Sequence, residues 1–157
     1  MIEEIDRRIS LAEEIMGRLE SGERLSSVLD SARILMNMAG ERLQEALMDI
    51  LINGLSESNG RTQSFDPPVY NKAEEKFAEL CVYKDVVSLK LSVSEMEKLR
   101  ETPPRHRRMS EEACGQTDLN LKYYEKVKAA LDALRSYVYI VVSHVWNDSL
   151  NKKDGPA

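Results

Sequence analysis

Toward the C-terminus, Leu121, Tyr124, Val127, Leu131, Leu134, Val138, Val141 and Val145 follow one another at steps of three and four residues. Only an α-helix lines up side chains at that spacing, because a strand would alternate them between two faces. The stripe predicts one long helix, beginning near Thr117 or Asp118 and running to about Asp148. A stripe of that length has to be covered by other elements. Between Tyr137 and Val145 the helix is apolar on more than one face, which fits either a sandwiched core position or a surface used for association.

Candidate partners for the stripe lie upstream. Ile2, Ile5, Ile9, Ala12, Met16 and Leu19 share one face of a first helix, which Ser21-Gly22 ends. A second helix is expected from Ser26 as N-cap, with Leu25 packing back as a staple and Gly40 as the stop. A third follows at once, with Leu43, Ala46, Leu47, Ile50 and Leu51 on one side and Asn53-Gly54 at its end. The short break at Gly40 implies a tight corner or hairpin between the two. Residues 54–68 read as a long exposed loop, and residues 72–83 as a helix with Ala73, Phe77, Leu80 and Cys81 together. Ser92-Val93-Ser94-Glu95 is a capping box that opens a short helix through Leu99.

The expected fold is therefore all-α. It is a helical bundle of about five to six helices with a long C-terminal helix. The alternating run near residues 86–93 admits one short extended segment. Residues 1–150 are expected to form a single helical domain and residues 151–157 a disordered tail.

The composition narrows the function classes. The chain has 157 residues, 42% hydrophobic and 31% charged, with a net charge of -5. A negative field disfavours a general nucleic-acid binder, which must collect phosphates. The acidic, amphipathic N-terminus does not read as a signal peptide, and no apolar run is long enough to span a bilayer, so a cytoplasmic location is expected. Cys81 and Cys114 form no CxxC pair and read as two reduced thiols.

No arrangement of residues points to a catalytic, metal or cofactor site. The nucleotide, hydrolase and zinc-protease signatures GxxxxGK[ST], GxGxxG, GxSxG and HExxH are missing from the sequence. Arg100 and His106 have the Arg-x(4–6)-His spacing of helical HEPN-type ribonucleases, but Pro103 and Pro104 stand between them and no helix carries the pair. His144 has Asp148 four residues on, a single pair that falls short of a catalytic or zinc constellation. Arg105, His106, Arg107 and Arg108 are the one basic cluster, open to an anion or nucleic-acid contact or to a solvated turn. Tyr137, Val138, Val141, Val145 and Trp146 are the candidate interface, since aromatics with a polar tip suit interfaces as well as core edges.

Several segments together resemble the AbiTii domain of bacterial and archaeal phage-defence proteins. They are Leu25-Ser26-Ser27-Val28-Leu29 with Ala32-Arg33-Ile34-Leu35, then Leu51-Ile52-Asn53-Gly54-Leu55, then a Pro-containing loop ending in Tyr70. Ser92-Val93-Ser94-Glu95-Met96-Glu97-Lys98-Leu99 and Leu134-Arg135-Ser136-Tyr137-Val138 complete the set, so the likeness spans about residues 1–148. The sequence departs from that family's pattern at Leu55, where tyrosine is usual, at Leu134, where valine is usual, and in a third helix without tryptophan. The resemblance implies a role in abortive infection, often as one module of a larger defence protein, and supplies no catalytic residue. The expected function is that of a non-enzymatic module acting through protein contacts. The alternatives are an adaptor that self-associates and an RNA-binding or ribonuclease subunit using residues 105–108.

Overall fold

The computed structural model describes residues 2–54, 66–81, 91–101 and 111–154, and for residues 2, 111–123 and 154 the backbone only. The described residues form six helices: α1 (Ile2–Glu20), α2 (Leu25–Met38), α3 (Arg42–Asn53), α4 (Pro67–Leu80), α5 (Val93–Glu101) and α6 (Glu111–Asp154). The protein is a helical bundle with a long C-terminal helix, and none of the described residues is in a strand.

Helix α6 organises the bundle. Its 44 residues extend about 66 Å at 1.5 Å per residue, against about 28 Å for the 19 residues of α1. The two helices are antiparallel and make the most extensive pairing in the molecule. The cross-contacts fix the direction: Lys153 Nζ meets Asp6 Oδ1 at 2.8 Å, Tyr139 reaches Glu20, and Arg135 reaches Leu19. On the inner side of α6, Val127, Ala130, Leu131, Leu134, Val138, Val142 and Val145 are buried. The closing stripe is therefore core at Val127, Leu131, Leu134, Val138 and Val145, while Tyr124 and Val141 are half-buried and Val142 is enclosed instead. Val138 is fully enclosed, which removes it from the expected interface.

Two helix stops are built alike. Gly22 and Gly40 take φ of +88° and +73°, values open to glycine because it has no Cβ. After each, the chain doubles back on itself: Glu23 N–H donates to Arg18 O at 3.1 Å, and Glu41 N–H to Met36 O at 2.9 Å. These are Schellman closures, which satisfy carbonyls that a helix end leaves open. Gly40 turns α2 directly into α3, and the pairs Asn37–Glu45 (3.2 Å) and Arg33–Asp49 (3.5 Å) make the two an antiparallel hairpin.

Several boundaries differ from the expectation. Helix α2 begins at Leu25 rather than after Ser26, and Arg24 occupies its N-cap without a side-chain cap bond. Ser26 lies inside the first turn, where Glu97 of α5 accepts from its N–H at 3.2 Å and from its hydroxyl. A carboxylate from a distant helix thus does the work of a local cap, favoured by the positive end of the α2 dipole. Helix α4 begins at Pro67, because proline fits the first helical turn, so the end of the expected loop is helical. Helix α6 begins at Glu111 and continues to Asp154, taking in the first residues of the expected tail. Lys152 pairs with Asp148 at 3.2 Å and Lys153 with Asp6, which ties that last turn down. The capping box stands as expected: Ser92 N–H donates to Glu95 Oε1 at 3.0 Å, and Glu95 N–H to Ser92 Oγ at 3.2 Å.

Of the alternating run near residues 86–93, residues 86–90 lie outside the described residues. Leu91 and Ser92 are non-helical and Val93 opens α5.

A cleft between the first and last helices

Helix α6 also has a second face. Tyr137, Ile140, Val141, His144, Val145 and Asp148 fall on one side of it by their spacing, and all line a cleft of about 550 Å³. Arg8 of α1 stands on the opposite wall. Met36 and Ala39 from the end of α2 and Glu41 and Gln44 from the start of α3 close it. Crevices between bundle helices in this size range are where small ligands usually sit.

The positions of these residues follow from elements already described. The Schellman turn at Gly40 swings Glu41 and Gln44 toward α6. Gln44 Oε1 accepts from the Tyr137 hydroxyl at 2.9 Å, and Lys76 Nζ of α4 stands 5.1 Å from the centre of the Tyr137 ring. Tyr137 is thereby fixed from two sides. Ile140 is half exposed and also lines a groove of about 290 Å³ with Leu19, Glu20, Arg135, Ser136 and Tyr139. It is a ridge between two depressions.

The polar groups of the cleft are unevenly satisfied. Arg8 Nη2 pairs with Glu4 Oε1 at 3.2 Å, while Arg8 Nε is cut off from solvent with no acceptor. The Arg8 side chain keeps 17% of its surface exposed. Asp148 pairs with Lys152, and His144 and Asp148, the pair that fell short of a constellation in the sequence, are two neighbours on the cleft wall.

Three of the five expected interface residues, Tyr137, Val141 and Val145, meet in this cleft. Val145 is nevertheless largely core, and Val138 entirely so. Trp146 packs half-buried against the core, and its buried indole N–H has no acceptor. Arg8, Met36, Ala39 and Gln44 carried no signal of this site, because they come from three separate parts of the chain. The basic cluster Arg105, His106, Arg107 and Arg108 lies outside the described residues, as does His106 of the Arg100–His106 spacing.

Three of the segments that carried the phage-defence resemblance, those of Ser26, Glu97 and Arg135, meet at another place, the end of the bundle where α1 turns into α2. Besides the Ser26–Glu97 contact, Arg135 donates from Nη2 to Leu19 O at 2.5 Å and from Nη1 to Glu23 O at 2.6 Å. Arg24 pairs with Glu101. Arg18 Nε holds Glu23 Oε2 at 2.8 Å, and this hydrogen bond, with help from Ser27, lowers the Glu23 carboxyl below its ordinary value. A cleft of about 360 Å³ opens here, with Glu97, Arg100, Asp132 and Arg135 on its walls. Each of these contacts caps or joins helix ends.

Cys81 is buried and free, and burial pushes its thiol up to about 12. Among the described residues no group of three or more His, Cys, Asp or Glu could hold a metal ion. No helix among them is long and apolar enough to cross a membrane. No family model matches the chain, and neither a curated protein nor a solved structure matches it.

Proposed function

We propose that this protein works by contact, as a helical module that binds another protein in the cytoplasm within a phage-defence response of the abortive-infection type. The observation that carries the contact reading is the exposed ridge on α6. Ile140 keeps 50% of its surface in water although Tyr137, Tyr139 and Val141 beside it pack against the core. A ridge with a groove on either side suits the packing of a second helix. Glu20, Glu41 and Asp148 border the two depressions together with Arg8 and Arg135, so the favoured occupant is an amphipathic helix with an apolar stripe for Ile140 and edges carrying both charges. The setting in phage defence rests on the resemblance of the capped segments around Ser26, Glu97 and Arg135.

The test is phage plating on cells with and without the gene, with Ile140→Glu as the key variant. Protection by the natural chain that disappears in Ile140→Glu, with unchanged far-UV circular dichroism, is the expected result. Protection retained by the variant refutes the ridge. Equal plating with and without the gene refutes the defence role. Were the occupant a second copy of this chain, light scattering would show a dimer that Ile140→Glu dissociates.

A further inference from the structure

We propose that the cleft between α1 and α6 is a binding site for a small, mainly apolar molecule carrying one hydrogen-bond acceptor group, a carboxylate or a carboxamide. The proposal concerns the interior of the cleft that flanks the Ile140 ridge on one side, so a ligand there and a helix seated on the ridge share that rim.

Three observations converge. The cleft measures about 550 Å³ and is walled by four segments, α1, the end of α2, the start of α3 and α6. Its apolar wall is Met36, Ala39, Val141 and Val145, surface enough for a short aliphatic or aryl body. Opposite stands Arg8, whose Nε is shielded from water yet donates to nothing. A buried donor left unpaired is costly, so an acceptor brought to it recovers free energy that the empty cleft forgoes. The guanidinium fork offers Nε and an Nη side by side, the geometry that takes a planar carboxylate or the oxygen of an amide. A turn of the guanidinium toward the cleft breaks no bond at Nε and gives up only the exposed Nη2–Glu4 pair, which the ligand's acceptor replaces.

The rim narrows the ligand class. Glu41 and Asp148 line the same cleft, and Asp148 is only partly offset by Lys152. A dianion such as a phosphate monoester would meet repulsion on entry, whereas a single carboxylate or a neutral amide would not be excluded. The Tyr137 hydroxyl leaves the amide nitrogen of Gln44 free of that bond, so it adds a second donor on the α3 side.

The experiment is a titration of the intact chain, followed by backbone amide shifts, with four probes of one skeleton. These are 3-phenylpropionate, 3-phenylpropionamide, 3-phenylpropylamine and 3-phenylpropyl phosphate. Shifts around Ala39, Val141 and Val145 with the acid or the amide are expected, and neither the amine nor the phosphate should match them. The acid and amide arms tell which acceptor the site prefers. Arg8→Met keeps the apolar stem and removes the fork, and should weaken the acceptor probes about tenfold. Ala39→Met fills the cleft and should abolish binding of both. Arg8→Lys, which keeps the charge without Nε, serves if Arg8→Met does not fold, and should weaken binding in the same direction. Absence of shifts at millimolar probe, binding led by the amine, or affinity unchanged in the Arg8 variants overturns the proposal.

Discussion

Replacing Arg135 by methionine is expected to destabilise the fold by about 2 kcal/mol. The structure supplies the arithmetic. Arg135 makes two charge-assisted hydrogen bonds to carbonyls at the C-terminal end of α1, Leu19 O in a part-buried setting and Glu23 O in an exposed one. The part-buried bond is worth about 1.5 kcal/mol, because its loss leaves a helix-end carbonyl poorly solvated. The exposed bond contributes roughly 0.5 kcal/mol, since water replaces it readily. The cation at the negative end of α1 adds about 0.3 kcal/mol. Methionine keeps most of the stem's packing, so the loss isolates the fork. Urea unfolding followed at 222 nm measures the difference, and the thermal midpoint should fall by about 4–8 °C for a chain of this size. Arg135→Lys is the control. It keeps the charge and can serve one carbonyl but not both, so it should recover less than half of the loss. A methionine variant within about 0.5 kcal/mol of the natural chain would refute the capping role. Full recovery by lysine would show that charge alone acts there.

Glu97→Gln should cost about 1 kcal/mol, because an amide can still accept from Ser26 but no longer places a negative charge at the start of α2. Urea titration of that variant beside Glu97→Ala, which should lose more, checks the order. Cys81 in a Cys114→Ser background should react with a thiol reagent at pH 8 far more slowly than in urea, since burial holds the thiol protonated; equal rates would contradict the burial. The same shift has a pH sign. The folded thiol titrates near 12 against a reference of 9.0, so the folded state holds the extra proton between those values. Stability from this group is complete below about pH 9 and declines as pH rises from there. Replacing Cys81 by alanine should flatten that alkaline decline.

Much of the bundle was legible because it depends on local chemistry. Glycines at 22 and 40 and the Ser92–Glu95 box act within five residues of themselves, and each does what its position implies. The face of α1 was nearly legible. Its stripe continues from Ala12 through either Ile15 or Met16, both apolar and both in register. Packing against α6 buries Ile15 completely and leaves Met16 half-buried. Ser26 shows where local reasoning stops. It is a good cap residue, yet its hydroxyl and N–H are taken by Glu97, 71 residues away in sequence, and the helix starts two residues earlier, with Arg24 at the N-cap. The cleft was legible only on its α6 wall, where Tyr137, Val141 and Val145 share a helical face. Arg8 looked like one more charge on the solvated side of α1, and only the antiparallel docking of α6 encloses its Nε.

The place of α6 in the chain sets an order on how the molecule is made. During synthesis α1, with Ile9, Ala12, Ile15 and Leu19 in place, leaves the ribosome well before α6, the helix that covers it most extensively. The α2–α3 hairpin can close as soon as residue 53 is out, because its contacts are short-range. Until α6 follows, the nascent chain therefore carries an apolar strip that α2 covers only in part, which leaves it open to chaperones and to its neighbours on a polysome. A ribosome stalled before Leu134 holds the α2–α3 hairpin beside an α1 that has only α2 to dock on.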